Sequence, residues 1–301
     1  MKKITLILMI ILAFGLKQQS KAQDSNFEVT PCQDSMAVID LFDSVFFSVM
    51  PSQNIANLQF SGDPSAVGYF EAGYFLGFDS GKGIVLTTGK AADADNMNIC
   101  GSAANASTNN NGVQGDPDLQ QINNGSSSYD GCIIEFDFLP KSNKIQFNYV
   151  FASEEYNDYV FAAFNDGFGL FLSGEGIDGD FTNNADNVAL LPGSNISVSI
   201  DNVNIGKGGK TCSGAPTGCT NCEYFINNSE SGDPAFNKFV YDAYTKVFRV
   251  GQYIFHGEWY HVKIAIGDSG DGVFDSAIFL EEKSFKTGGS VTRVSGLKIM
   301  K

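Results

Sequence analysis

Two short segments of the sequence concentrate acidic and amide side chains, one between residues 154 and 166 and the other between residues 268 and 275. Ca²⁺ takes roughly six to eight oxygen ligands from carboxylates, amides, backbone carbonyls and water. Glycines in the second segment allow its backbone to turn tightly around an ion. Calcium is therefore the candidate cofactor. The candidate calcium ligands are Glu154, Glu155, Asp158, Asn165, Asp166, Asp268, Asp271 and Asp275.

A second interpretation of both segments needs no metal. The spacing of the acids differs from that of an EF-hand loop, and Asp and Gly also build hairpin turns with solvated carboxylates. Asn165 and Asp166 could hold an Asx-type turn. On a regular strand Glu154 and Glu155 would point to opposite faces and could not share one ligand. Both interpretations remain open at the level of sequence.

Carboxylate pairs also cleave glycosidic bonds when they lie about 5–5.5 Å or about 6.5–9.5 Å apart. The sequence does not establish such a distance. It has two histidines, His256 and His261, and contains no Gly-x-Ser-x-Gly elbow, no His-Glu-x-x-His pair and no phosphate-binding loop. No catalytic residue is assigned, and we expect a binding protein rather than an enzyme.

Strand-like patterns flank both acidic segments. Apolar and polar residues alternate with a period of two in six stretches, which predicts strands with one buried face. These stretches are residues 133–138, 144–151, 168–172, 196–200, 260–266 and 276–282. Near the start, Val38, Leu41, Phe42 and Val45 follow the spacing of an amphipathic helix that Ser35 could cap. We predict an all-β fold, a two-layer jelly-roll-like β-sandwich with one N-terminal amphipathic helix and long loops.

The first residues and the charge indicate an exported protein. Lys2 and Lys3 precede an apolar run over residues 4–16, and small residues up to Ala22 suit a signal-peptide cleavage site. We therefore predict a signal peptide over residues 1–22 and, with no later apolar run of membrane length, no direct membrane insertion. The formal net charge of −15 argues against nucleic acid as a partner.

The cysteines are disulfide candidates, because an even number of cysteines in an exported protein favours disulfides. They are Cys32, Cys100, Cys132, Cys212, Cys219 and Cys222. The last three lie in one glycine-rich segment, so a local pair is expected there. A zinc site formed by the same three is the alternative. The single tryptophan, Trp259, is either a core residue, which its position at a strand start favours, or an exposed ring that stacks on sugars.

The sequence contains, in order, the blocks FNYVFASEEY at 147–156, FND at 164–166, NVALLPG at 187–193 and a longer block at 260–285. These ordered blocks resemble those of the choice-of-anchor L family of secreted bacterial surface domains. The resemblance spans residues 36–285. It implies a domain over residues 23–285 with a flexible C-terminal tail at 286–301. It also implies a secreted or cell-surface location and adhesion to a cell-surface glycan or protein. The alternative is a structural subunit of an extracellular assembly, in which strand edges pair between chains.

Overall fold

The computed structural model describes residues 26–47, 49–96, 114–207, 216–228, 232, 235–236 and 238–288. Two antiparallel sheets form the fold and confirm the predicted all-β sandwich. The first sheet contains β1 (Glu28–Pro31), β3 (Val67–Glu71), β4 (Gly83–Thr87), β6 (Lys144–Ser153), β9 (Phe225–Asn227), β10 (Ala243–Thr245), β11 (Phe248–Tyr253), β13 (Ser276–Glu281) and β14 (Lys286–Thr287). The second contains β2 (Ile55–Ser61), β5 (Ser128–Phe138), β7 (Gly167–Gly174), β8 (Asp186–Asn187) and β12 (Tyr260–Ser269).

Strand β6 is the organising strand of the first sheet, because two strands pair with each of its edges. Strands β13 and β14 pair with it at residues 149–153 and 145–146. On the other edge, β10 pairs at residues 152–153 and β11 at residues 144–149. In the second sheet the order is β2-β5-β12-β7-β8, so β12 lies at the centre.

The main core lies between the two sheets. Strand β6 contributes Phe147, Tyr149 and Phe151, and β12 contributes Ile264 and Ile266, all buried. These residues have the period-two spacing of strands with one face toward the core. The first sheet is also covered on its outer side by a second apolar cluster. Strand β4 is consequently buried at every position, and its sequence lacks the alternation that would predict it.

The N-terminal helix is present but differs in detail from its prediction. Helix α1 (Ser35–Leu41) continues into a π-helical turn, Phe42–Phe46, that packs on the core. Its cap is Asp34 rather than Ser35, since Asp34 Oδ1 accepts a hydrogen bond of 2.8 Å from the Ala37 N–H. Among the described residues, none lies in a helix long and apolar enough to cross a membrane.

The structure differs from the sequence predictions at residues 196–200 and at the start of the C-terminal tail. Residues 196–200 form only isolated bridges, Leu190 with Ser197 and Gly167 with Ser199, so the strand predicted there is wrong. The predicted tail begins with β14, which belongs to the sheet.

The connection between β4 and β5 contains a second short helix, α2 (Pro117–Ile122). The signal peptide and the tail beyond residue 288 lie outside the described residues.

The cysteines divide into a bridged pair and two thiols. Cys219 and Cys222 form the local disulfide that the sequence predicted. Their sulfurs are bonded to each other and are not available as zinc ligands, although Glu223 lies beside them. Cys32 and Cys132 are buried thiols rather than disulfide partners, and burial together with Asp34 raises the pKa of Cys32 to about 11. The candidates Cys100 and Cys212 lie outside the described residues.

Candidate functional site

Four strand ends meet at one end of the sandwich. The end of β6 lies beside the start of β13, where Ser153 pairs with Ser276. In the other sheet, the end of β12 lies beside the start of β7, where Gly267 pairs with Gly167. The two acidic segments of the sequence leave the sheets at these four ends. The fold therefore brings segments about 100 residues apart in the chain to the same place.

Five carboxylates of this end are at least nine-tenths buried: Glu154, Glu155, Asp166, Asp268 and Asp275. We call these five residues the acidic cluster. Burial removes the water that stabilises an ionised carboxylate, and nearby like charges add to the cost. For Glu154, Glu155 and Asp268, burial is the largest contribution that raises the pKa, and neighbouring carboxylates raise it further. The cluster is therefore an electrostatically costly arrangement unless protons or a cation neutralise it.

Asp166 links the two sheets through its carboxylate. Its Oδ1 accepts a hydrogen bond of 2.9 Å from the Ser269 N–H on β12, and its Oδ2 accepts one of 2.8 Å from the Ser276 hydroxyl on β13. Burial raises the pKa of Asp166 to about 7, although both hydrogen bonds favour the charged form. Asp166 thus changes its charge within the physiological pH range.

Asp268 lacks such support. It is 1% exposed, and among the described residues no donor meets its oxygens with full hydrogen-bond geometry, although its carboxyl group contacts that of Asp166. Burial raises its pKa well above the usual range and the charge of Asp166 raises it further, while the Thr88 side chain lowers it. A buried carboxylate that contacts another carboxylate is costly unless a proton or a cation is shared between them.

The two neighbouring glutamates follow the end of β6 at Ser153, and their side chains turn toward different partners. Glu154 lies near Asp242 and Asp275, and its N–H donates to the Asp275 carbonyl at 3.1 Å. Glu155 lies near Asp166, and its Oε2 accepts a weak hydrogen bond of 3.4 Å from the Asp166 N–H. Of the pair, Glu155 belongs with Asp166 and Asp268.

A hydroxyl network holds the start of β13 against the end of β4. The Ser276 N–H donates to Thr88 Oγ1 at 3.0 Å, and the Thr87 hydroxyl donates to the Ser276 carbonyl at 2.9 Å. Tyr241 in turn donates its hydroxyl to Thr87 Oγ1 at 3.1 Å. This network fixes the backbone at Ser276, directly after Asp275.

Three predicted ligands lie outside the acidic cluster. Asn165 Oδ1 accepts a hydrogen bond of 3.2 Å from the Asp201 N–H, as expected of a loop-holding amide. Asp271 is exposed at the turn, where it bonds the Val273 N–H at 3.3 Å, although its charge acts on Glu155 and Asp166. Asp158 is partly buried, and its charge raises the pKa of Tyr159.

Sequence reasoning missed two acids near the cluster. Burial raises the pKa values of Glu155 and Glu154 most, and the charge of Asp201 raises that of Glu155 further, as the charge of Asp242 does for Glu154. Neither residue lies within the two acidic segments, and no spacing rule connects them to residues 154–155. In the described part of the chain, the carboxylate oxygens of the cluster do not form a group of three within 4.8 Å of one another. The cluster is therefore more open than a closed coordination sphere.

The other candidate residue, Trp259, lies at the far end of β12. Its side chain is 47% exposed, so the expected core position is wrong. Tyr260, the next residue, occupies the core position instead, and its hydroxyl donates to the Glu175 carbonyl at 2.8 Å.

The described fold and the ordered motifs agree with a comparison against protein families. The model of the Choice-of-anchor L domain matches residues 28–286. The chain belongs to the Choice-of-anchor L domain family. Membership indicates an extracellular or cell-surface protein of bacteria. Within this Choice-of-anchor L domain, the match includes both acidic segments and the strands that carry them. Comparison with curated proteins gives no match.

Proposed function

We propose that this Choice-of-anchor L domain is a surface adhesion module whose loops are stabilised by a calcium ion bound at the acidic cluster. Its partners are a glycan or a protein of a cell surface, and the protein reaches them after export by a signal peptide. The observation that carries the calcium proposal is Asp268, a carboxylate that is 1% exposed and that contacts a second buried carboxylate, Asp166, and the Thr88 side chain but no cationic side chain among the described residues.

Calcium fits the chemistry of the cluster better than the other neutralising agents. Protons neutralise the acids only where the pH lies below their raised pKa values, whereas a divalent cation does so at any pH at which they ionise. The available groups are carboxylate oxygens and loop carbonyls, which are the hard ligands that Ca²⁺ prefers. The larger radius and flexible coordination of Ca²⁺ also suit an open cluster better than the strict octahedron of Mg²⁺.

The ion would connect the sheets at their loop end. Glu155 lies at the start of the connection between β6 and β7, and Asp268 lies in the last residues of β12, just before the connection to β13. A ligand shared between them would hold both connections in one conformation. Loops fixed in this way present a binding surface at a lower entropic cost than mobile loops. Calcium would thus act on adhesion through loop order, with the partner contacting the loops.

The test is thermal unfolding of the purified protein with chelator and then with millimolar calcium. A ligand that binds only the folded state at 100 times its Kd stabilises that state by about 2.7 kcal/mol, so a site of about 10 µM gives a clear rise in Tm. The variant Asp268→Asn should lose this rise and should be more stable than the parent protein in chelator. Asp178→Asn, outside the acidic cluster, is the matched control and should retain it.

An unchanged calcium response in Asp268→Asn would remove the cluster from consideration as the site. Adhesion needs its own measurement, which is the binding of the labelled protein to bacterial and host cells in calcium and in chelator. Saturable cell binding is expected. Protein that is folded and loaded with calcium but binds no cells would contradict the adhesion function while leaving the metal site intact.

A further inference from the structure

A polar cleft of about 590 Å³ opens on the outer face of the first sheet, at a distance along β6 from the acidic cluster. It exists because the edge of β6 is left partly open. Strand β13 pairs with β6 as far as Leu280 opposite Tyr149, and β14 resumes the pairing at Lys286 opposite Gln146. Residues 282–285 leave the sheet, and Ser284 Oγ accepts the Asn148 N–H at 3.2 Å.

The floor of the cleft consists of side chains held by one another. Asn148 lies at the centre: its Oδ1 accepts from Arg249 Nε at 3.1 Å, and its Nδ2 donates to Glu281 Oε2 at 2.6 Å. The other oxygen of Glu281 accepts from the Asp79 N–H at 2.8 Å. Gln146 lies two residues before Asn148 on the same face of β6. The donors and acceptors of the floor are therefore fixed before any ligand arrives.

The charges that line the cleft balance. Three cationic and three anionic side chains contribute: Arg249, Lys283, Lys286, Asp79, Glu281 and Glu282. This local neutrality contrasts with a formal net charge of −15 for the chain. A cleft with fixed donors and acceptors but no net charge suits a neutral ligand with many hydroxyl groups better than an ion.

An exposed aromatic ring extends the same face. Arg249, Gly251 and Tyr253 alternate along β11 and lie on one side of the sheet. Tyr253 pairs with Lys144 and is 41% exposed, about 14 Å along the strand from Arg249. Gly251 lies between them, opposite Gln146, and is buried. The exposed Tyr253 ring thus lies on the same side of the sheet as the cleft residue Arg249, beyond the residues that line the cleft.

We infer that this cleft binds a neutral oligosaccharide. The floor side chains bond its hydroxyl groups, and the Tyr253 ring packs against the apolar face of one sugar ring. The inference rests on the proposed function, because it names the ligand of the adhesion module. The cleft lies at the other end of β6 from the proposed calcium site. An experiment can therefore reject sugar binding at the cleft without rejecting calcium binding at the acidic cluster, and the reverse.

The experiment is isothermal titration with four neutral hexasaccharides, namely cello-, malto-, manno- and chitohexaose, in calcium and in chelator. We expect saturable binding of at least one of them. Tyr253→Ala and Arg249→Gln, both at exposed positions, should each weaken that binding tenfold or more without lowering Tm. Tyr129→Ala is the matched control, because Tyr129 is 44% exposed on the other sheet, and it should bind as the parent protein does.

Absence of binding to all four sugars, or binding that Tyr253→Ala and Arg249→Gln leave unchanged, would overturn the inference. Cells that bind the protein in the absence of any sugar binding would preserve the adhesion function and reject the glycan cleft. Sugar binding without a calcium-dependent rise in Tm would preserve the cleft and reject the metal site.

Discussion

Gly89 and Asp275 lie in such close contact that no side chain fits between them. A Cβ built on Gly89 would lie 1.8 Å from Oδ2 of Asp275, far inside any real contact distance. The carboxylate occupies the space that a side chain at position 89 would need. Residue 89 directly follows Thr87 and Thr88, whose hydroxyls hold the start of β13.

We therefore expect Gly89→Ala to destabilise the fold. The methyl group must displace a buried carboxylate whose backbone is held through its own carbonyl and through Ser276. Overpacking of this kind typically costs about 1–3 kcal/mol. Urea unfolding measures the loss. Gly218→Ala is the matched control, because a Cβ there meets its nearest atom at an ordinary 3.5 Å. Equal stabilities of the two variants would show that Asp275 moves away freely.

The acidic cluster predicts an unusual dependence of stability on pH. In chelator, Asp166 binds its proton with a pKa of about 7 in the folded state, against about 3.9 in an unfolded chain. Between these values the folded state holds more protons, so the free energy of unfolding falls as the pH rises from about 4 to about 7. Each such group contributes at most about 1.4 kcal/mol per pH unit.

Urea unfolding at pH values of about 5, 6 and 7.5 in chelator would measure this slope. Asp166→Asn should reduce the slope, because the amide does not titrate, while the other buried acids of the cluster still contribute. Calcium should also flatten the slope if the ion takes the place of the protons. A parent protein whose stability is constant or rises across this range would contradict the raised pKa.

His261 makes stability depend on pH above about 6.5, by a different route from Asp166. Its Nδ1 lies 2.7 Å from Asp137 Oδ1 and its Nε2 lies 3.0 Å from Glu135 Oε2, and these contacts raise its pKa above 6.5, with Glu135 the larger cause. The stabilisation is complete below the unfolded pKa of about 6.5 and is lost as the pH rises through the folded value.

Titration of the His261 ring followed by NMR checks this assignment. We expect a pKa above 6.5 in the parent protein and a larger decrease in Glu135→Gln than in Asp137→Asn. The reverse order of the two variants, or a parent value below the ordinary one, would be incompatible with the described pair of contacts.

Lys263 forms a buried ion pair on the outer face of the second sheet. Its Nζ lies 2.8 Å from Asp116 Oδ2 and 2.6 Å from Asp118 Oδ2, and 4.9 Å from the centre of the Phe171 ring. Lys263→Met should cost about 3–5 kcal/mol in urea unfolding, since it leaves two buried carboxylates without a cation.

The triple variant Lys263→Met, Asp116→Asn, Asp118→Asn should recover most of that loss, because no charge then remains buried. The amide introduced at position 116 retains the kind of side-chain oxygen with which Asp116 caps α2. A Lys263→Met variant that loses less than about 1 kcal/mol would mean that water solvates the two acids once the lysine is removed.

Local patterns were sufficient to predict the strands that have one face in the core. Strands β6 and β12 alternate because Phe147 and Ile264 face inward while their neighbours face outward. Strand β4 was missed because the first sheet is buried on both faces and the strand has no polar side. The helix was found from its apolar spacing, but Asp34 and Ser35 are both good caps, and only the folded structure distinguishes them.

Part of the acidic cluster was predictable from the strand patterns on either side of it. Glu155, Asp166 and Asp268 lie at strand ends that short-range patterns reveal. The approach of Asp201 and Asp242 depends on how distant segments fold over the sheets, which no spacing within the chain encodes. The cleft was not foreseen either, since it depends on a gap between two strands that pair with the same edge of β6.

The pairing of β14 with the beginning of β6 fixes the end of the sandwich at which the described chain leaves the domain. The Gly288 N–H donates to the Lys144 carbonyl at 3.0 Å, so the described chain leaves the fold at that end of β6. The acidic cluster lies at the opposite end, about 30 Å away along the strand. Anything attached after residue 288 would therefore join the sandwich at the end opposite the acidic cluster, and its point of attachment would leave the loops of that cluster free to meet a partner.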